Sequence, residues 1–250
     1  MSRAGHLAWP AVTISEERGV RYLHLDSPWV QGAMRISKPD EIELEYVRRM
    51  MVWLLWRPFE AWASGRAVQL GLGAAAITRF CHGRLGMPTT AVELNPGVIR
   101  ACRSWFGLPE DGAGLEVVCA DAGRWIASPR QARSVAALQV DLYDHEAAAP
   151  VLDDQDFYGA CRRALEPGGV MVVNLFGRNA SFERSSQQIA AVFGRNQVWR
   201  VQATREGNTV VVAAKGVEVP DRHTLTARAR QIESAVGLPA RRWLQMVRPL

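Results

Sequence analysis

The sequence predicts an α/β fold, a doubly wound and mostly parallel seven-stranded sheet preceded by a small β-hairpin. Three observations predict it. Short apolar runs alternate with helical stretches from Arg66 onward. The run Val170-Met-Val-Val is apolar throughout, as in a parallel strand covered on both faces. The last two strand-like runs are separated only by Arg205-Glu-Gly-Asn208, which reads as a hairpin turn and closes the sheet with antiparallel strands.

Each element has a local reason. Residues 19–36 alternate in polarity and break at Ser27-Pro28, which predicts the leading hairpin. Pro39-Asp40-Glu41 predicts a helix running to about Trp56, with acids in the first turn where the dipole favours them. Strands follow at 67–70, 89–93, 115–119, 136–141 and 170–174. Between them stand a glycine turn at Gly71, Pro96 at a first helical position, and Glu166-Pro-Gly-Gly169, which stops a helix begun near Asp154. Residues 198–204 and 209–214 form the closing hairpin, and a last helix spans about 222–236 before a tail with Trp243. The chain divides into an N-terminal hairpin and helix (1–60), a ligand-binding α/β domain (61–220) and a C-terminal helical tail (221–250).

Composition narrows the function. An apolar share of 48% and a charged share of 22% are those of a globular protein. The strongly apolar stretch from Met50 to Trp56 is far short of the roughly 20 residues of a membrane span. With no secretory signal at the N-terminus, the reading is a cytoplasmic protein without a membrane partner. The four cysteines have neither CxxC nor zinc-ligand spacing, so neither a metal site nor a disulfide framework is expected. The net charge of +5 comes from scattered arginines without interleaved aromatics, which argues against a nucleic-acid partner.

In a doubly wound sheet the ligand lies at the carboxyl ends of the strands. Gly71-Leu-Gly73 follows the first strand, where glycines admit a ligand close to the backbone. Glu93 ends the second strand, where a carboxylate accepts both ribose hydroxyls. Asp121-Ala122 follows the third strand, with a carboxylate placed for an adenine amino group. Together these predict a nucleoside of the S-adenosylmethionine type on a Rossmann-like, methyltransferase-type fold. NAD is the competing use of such a loop, but the terminal hairpin and the Asp121 loop fit the methyltransferase type better.

Asp141-Leu-Tyr-Asp144 at the end of the fourth strand, then Pro150, Phe157-Tyr158 and Leu165-Glu-Pro-Gly-Gly-Val170, resemble the spermidine synthase (polyamine aminopropyltransferase) family. Leu25-Asp-Ser-Pro-Trp-Val-Gln31 and Asp40-Glu41 resemble that family's LDxxxQ hairpin and DE helix start, and the likeness runs from about Val20 to Lys215. It implies that Asp141 is the base that deprotonates the attacking amine. It implies too that Asp144 holds the polyamine, that Gln31 and Tyr143 line its pocket, and that Glu93 and Asp121 bind ribose and adenine. The donor would be S-adenosylmethionine or its decarboxylated form, the partner a small amine or polyamine, and the assembly a dimer.

The sequence also departs from that pattern. Ala74 stands where the family's GGGDGG loop carries the Asp that contacts the donor's aminopropyl amine, and Ala75 and Ala76 replace its last two glycines. Leu44, Glu45 and Tyr46 stand where Tyr-His-Glu is usual. Two further functions therefore remain open on the sequence: a methyltransferase on the same fold, and a nucleoside-binding protein without catalysis.

Overall fold

A computed structural model of the chain describes residues 9–143, 150–176 and 179–250. The parallel heart of the sheet is built from β4 (Arg66–Leu70), β5 (Thr89–Glu93), β6 (Leu115–Cys119), β7 (Val135–Val140) and β8 (Leu165–Phe176). The connecting helices are α2 (Ala76–Arg79), α3 (Pro96–Trp105), α4 (Ala122–Ala127) and α5 (Gln155–Ala164). After α6 (Asn179–Phe193) come β9 (Val198–Val201) and β10 (Asn208–Ala214), and β10 inserts antiparallel between β8 and β9. The chain ends in α7 (Arg222–Val236), α8 (Ala240–Met246) and β11 (Val247–Pro249).

The strand order is β11-β9-β10-β8-β7-β4-β5-β6. The chain steps outward from β4 to β6, then returns to β7 on the other side of β4, so β4 and β7 flank the switch point. Alternate residues of each strand serve opposite faces. Ala67, Ala137 and Val172 belong to one core cluster, and Val68, Leu138 and Val173 to the other. Burial on both faces is the reason the central strands β4, β7 and β8 read as mostly apolar runs, with Gln69 and Gln139 as their buried polar exceptions.

Three elements differ from the sequence reading. The leading hairpin is a three-stranded antiparallel sheet of β1 (Val12–Glu17), β2 (Val20–Leu25) and β3 (Gly32–Arg35). Its first strand buries Val12 and Ile14 only partly, a weak pattern at the front of the chain. The helix expected from Pro39 begins only at α1 (Glu45–Met50), because residues 38–41 close a turn with a Lys38–Glu41 ion pair at 2.8 Å. Beyond it Met51–Leu55 wind as a 3₁₀ helix whose five side chains are all buried. The sheet also gains an eighth strand, β11, three residues long and paired to β9. It is too short to read as a strand, and its Pro249 is tolerated at an edge.

The Met51–Leu55 turn sits in the same cluster as Trp199 and Trp243, which fastens the segment after α1 to the last strands and α8. Among the described residues no helix is long and apolar enough to cross a membrane.

Candidate active site

The carboxyl ends of five neighbouring strands open onto one cleft of about 660 Å³. Each supplies a polar group or a bare backbone: Gly71 after β4, Glu93 on β5, Asp121 after β6, Asp141 after β7 and Asn174 on β8. The β2–β3 loop adds Trp29 and Gln31, α1 adds Tyr46, and the β9–β10 turn adds Glu206. Gly73, Ala122 and Tyr143 also line the cleft, so every site residue read from the sequence lies here except Asp144, which falls outside the described residues.

The turn after β4 is possible only with glycine. Gly71 has φ +87°, and a Cβ there would lie 2.1 Å from the carbonyl oxygen of Asp141. The backbone N–H of Asp141 donates to Leu70 at 2.9 Å, which fixes the two strand ends side by side. Gly73 (φ +52°) is pressed against the carbonyl of Gln31, which a Cβ would approach to 2.9 Å. The N-terminal sheet therefore rests directly on the glycine turn. Ala74 is buried beneath Gly32 and does not line the cleft, so this position offers no group to a donor's tail.

Glu93 is held by backbone. Its Oε2 accepts from the Leu72 N–H at 3.0 Å and its Oε1 from the Asn95 N–H at 2.8 Å. Burial raises its pKa above the ordinary carboxylate range, while N–H donors from Asn95, Leu72 and Leu94 pull it back. Each oxygen keeps a second lone pair for a ligand hydroxyl. Asp121 is the N-cap of α4, its Oδ1 accepting from the Arg124 N–H at 2.7 Å. One short helix start thus explains why an acid stands at that strand end.

Asp141 is held by side chains. Tyr46 donates its hydroxyl to Oδ2 at 3.1 Å, and Asn174 donates Nδ2 to Oδ1 at 2.9 Å. Burial raises the Asp141 pKa, and the Asn174 and Tyr46 hydrogen bonds oppose that rise. Burial, then the adjacent Asp141 charge, pushes the Tyr46 phenol well above its ordinary pKa, so it remains a donor. Tyr143 donates to the Asn174 carbonyl at 3.0 Å and accepts from the Phe176 N–H, which pins the end of β8 beside β7. Its phenol therefore serves the backbone, and the residue also borders the cleft.

Tyr46, Asn174 and Asn208 escaped the sequence reading as site residues. Asn174 had a signal, a polar residue inside the otherwise apolar run Val170–Phe176. Asn208 read as part of the hairpin turn, whereas it is the first residue of β10 and is buried. Tyr46 stood in the segment that departs from the family's Tyr-His-Glu pattern, but its tie to Asp141 had no signal there; only the packing of α1 on β8 and β10 makes it.

Six carboxylates line the cleft, on Glu43, Glu45, Glu93, Asp121, Asp141 and Glu206, and no Lys, Arg or His is among the described lining residues. Glu43 is paired with Arg35 at 2.7 Å and Glu45 with Arg49 at 3.0 Å. No ion pair among the described residues neutralises the other four. In a chain of net charge +5 this is a local reversal of sign, and it suits a cationic ligand.

No family model matches the chain. It is 34% identical over 233 residues to a polyamine aminopropyltransferase of Chromobacterium violaceum, covering 92% of this chain and 87% of the relative. It is 33% identical over 244 residues to one from Neisseria meningitidis serogroup B, covering 97% and 90%. Among solved structures it resembles a probable spermidine synthase from Corynebacterium glutamicum (TM-score 0.74, 19% identity, covering 91% and 85%). It also resembles human methyltransferase-like protein 13 in complex with SAH (TM-score 0.68, 20% identity, covering 77% and 92%). The two structural likenesses bear on the fold, which is the methyltransferase-type sheet expected from the sequence.

Proposed function

The chain belongs to the polyamine aminopropyltransferase family, and on that premise we propose that its cleft binds decarboxylated S-adenosylmethionine beside an amine or polyamine and joins the two. Glu93 takes the ribose hydroxyls, Asp121 the adenine amino group, and Gly71 and Gly73 let the nucleoside lie against the backbone. Asp141 takes the proton of the attacking amine. The freed nitrogen pair forms an N–C bond to the aminopropyl carbon, the C–S bond breaks, and its electron pair returns to sulfur. The sulfonium leaves as a neutral thioether. Gln31 and Asp144 complete the amine's surroundings in this reading. Family membership also supports a homo-oligomer working in the cytoplasm.

The observation that carries the proposal is the charge of the cleft. The decarboxylated donor brings a sulfonium and an ammonium, both matched to the four unpaired carboxylates. Intact S-adenosylmethionine adds a carboxylate that would meet no cation among the described lining residues, which weighs against methyl transfer. Calorimetric titration tests this. The decarboxylated donor should bind at least about tenfold tighter, or roughly 1.4 kcal/mol, and tighter still with putrescine present. A preference for intact S-adenosylmethionine would overturn the assignment in favour of methyl transfer. Asp141→Asn should lower aminopropyl transfer by about a thousandfold while nucleoside affinity stays within about threefold.

A further inference from the structure

The two donors that hold Asp141 are uncharged, and one of them is reversible. An amide turned by half a circle exchanges its N–H₂ for its C=O with almost no change of shape. An ionised carboxylate only accepts, so Asn174 supports Asp141 only while its Nδ2 points forward. Behind it, the Oδ1 of Asn174 accepts from the Nδ2 of Asn208 at 3.2 Å. Asn208 is itself well placed to stay where it is. It is buried, its N–H donates to the Thr204 hydroxyl at 3.2 Å, and its carbonyl accepts from the Thr204 N–H at 2.8 Å. A continuous path thus runs Tyr46–Asp141–Asn174–Asn208–Thr204, through α1, the end of β7, β8, β10 and the β9–β10 turn.

We propose that Asn208 is a positioning residue for Asp141: by occupying the Oδ1 of Asn174 it locks that amide with its N–H toward the carboxylate. Tyr46 steadies the opposite oxygen. The inference rests on the reading of Asp141 as the base. The titratable neighbours of Asp141 are Tyr46 from α1 and Tyr143 two residues on, and burial keeps both phenols protonated. The remaining charged groups lining the cleft, Glu43, Glu45, Glu93, Asp121 and Glu206, all carry the same sign as Asp141. Without Asn208 the amide is free to reverse and set its C=O against the carboxylate. The base would then lose a donor and keep its proton to higher pH.

The test measures kcat, KM for each substrate and the pH profile of kcat/KM in Asn208→Ala and in the near-isosteric Asn208→Asp. Thermal unfolding establishes the folded fraction. Asn208→Asp replaces a donor by an acceptor, so it forces the same reversal without leaving a cavity. Both variants should lose about tenfold or more in kcat, hold the donor's KM within about twofold, and move the acid limb to higher pH. Thr204→Val, which removes one backbone anchor of Asn208 but leaves both side-chain amides and the Thr204 N–H bond to the Asn208 carbonyl in place, should move the limb less than either Asn208 variant. An unmoved limb in Asn208→Asp, or an equal effect from Thr204→Val, would overturn the inference. Should Asp141→Asn retain activity, the reading of the base itself falls. Should Asp141→Asn be inactive while the limb of Asn208→Asp stays put, only the positioning role falls.

Discussion

The two halves of the cleft, the proposed nucleoside side and the proposed amine side, are held by different means. On the nucleoside side, Glu93 accepts from the N–H groups of Leu72 and Asn95, and Asp121 caps the helix it begins. These are contacts with backbone, mostly within a few residues of the acid, and any side chain in the same loop geometry would find the same N–H groups. On the amine side, Asp141 is held by Tyr46, which lies 95 positions away in the sequence, and by Asn174, 33 positions away. The first half is a property of the strand ends; the second exists only once α1, β8 and β10 have packed together. The chain departs from its family's pattern in both halves, at Ala74, Ala75 and Ala76 in the glycine loop and at Leu44, Glu45 and Tyr46 around the first helix, so neither way of holding an acid is by itself a protection against drift.

Three substitutions sharpen or break that contrast, in falling order of effect. Gly71→Ala attacks a point where the halves touch, at the ends of the paired strands β4 and β7. Its Cβ would meet the Asp141 carbonyl at 2.1 Å, on a backbone already in the left-handed region. The left-handed backbone costs about 1–2 kcal/mol and the overlap more, so a loss of about 3 kcal/mol or greater is expected in denaturant unfolding. A near-neutral result would mean that the two strand ends are not rigidly coupled. On the proposed reading Glu93→Ala removes two ligand hydrogen bonds of a charged acceptor, about 1.5–3 kcal/mol each before offsets, so nucleoside affinity should drop about a hundredfold or more by calorimetry. At saturating donor its kcat should stay within a few-fold, since Asp141 and its donors lie on other elements, after β7, on α1 and on β8. A fall in kcat as large as the fall in affinity would erase the division into halves. Asp121→Asn is the mildest. Asn caps a helix about as well as Asp, so stability should hold within about 0.5 kcal/mol while the adenine contact weakens by less than about tenfold.

The same contrast explains what the sequence revealed. The strands were legible because burial makes them predominantly apolar, most fully at Val170–Val173, although Gln69 and Gln139 are buried within two of them. Glu93 and Asp121 were legible because their position relative to a strand end is itself the signal. Asp141 was found through the DxxD motif and not through its surroundings. Tyr46 and Asn208 were not, because each meets its partner only by tertiary approach, and Asn174 was missed although a lone polar residue in an apolar strand marked it. The helix expected from Pro39 failed for a related reason. Asp40 and Glu41 look like a helix start, but the turn with Lys38 takes them and α1 begins at Glu45, with its buried face toward the sheet.

The sign reversal between surface and cleft has a consequence for how ligands arrive. A polycation far from the protein meets the field of a net +5 body and is repelled, while one at the mouth meets four unneutralised carboxylates and is drawn in. The two fields differ in reach. Salt at physiological strength confines exposed charges to about 8 Å but screens partly buried ones much less. Adding salt therefore removes the outer barrier before it weakens the inner attraction. Capture of a cation by this molecule should tolerate ionic strength in a way that a uniformly acidic protein would not.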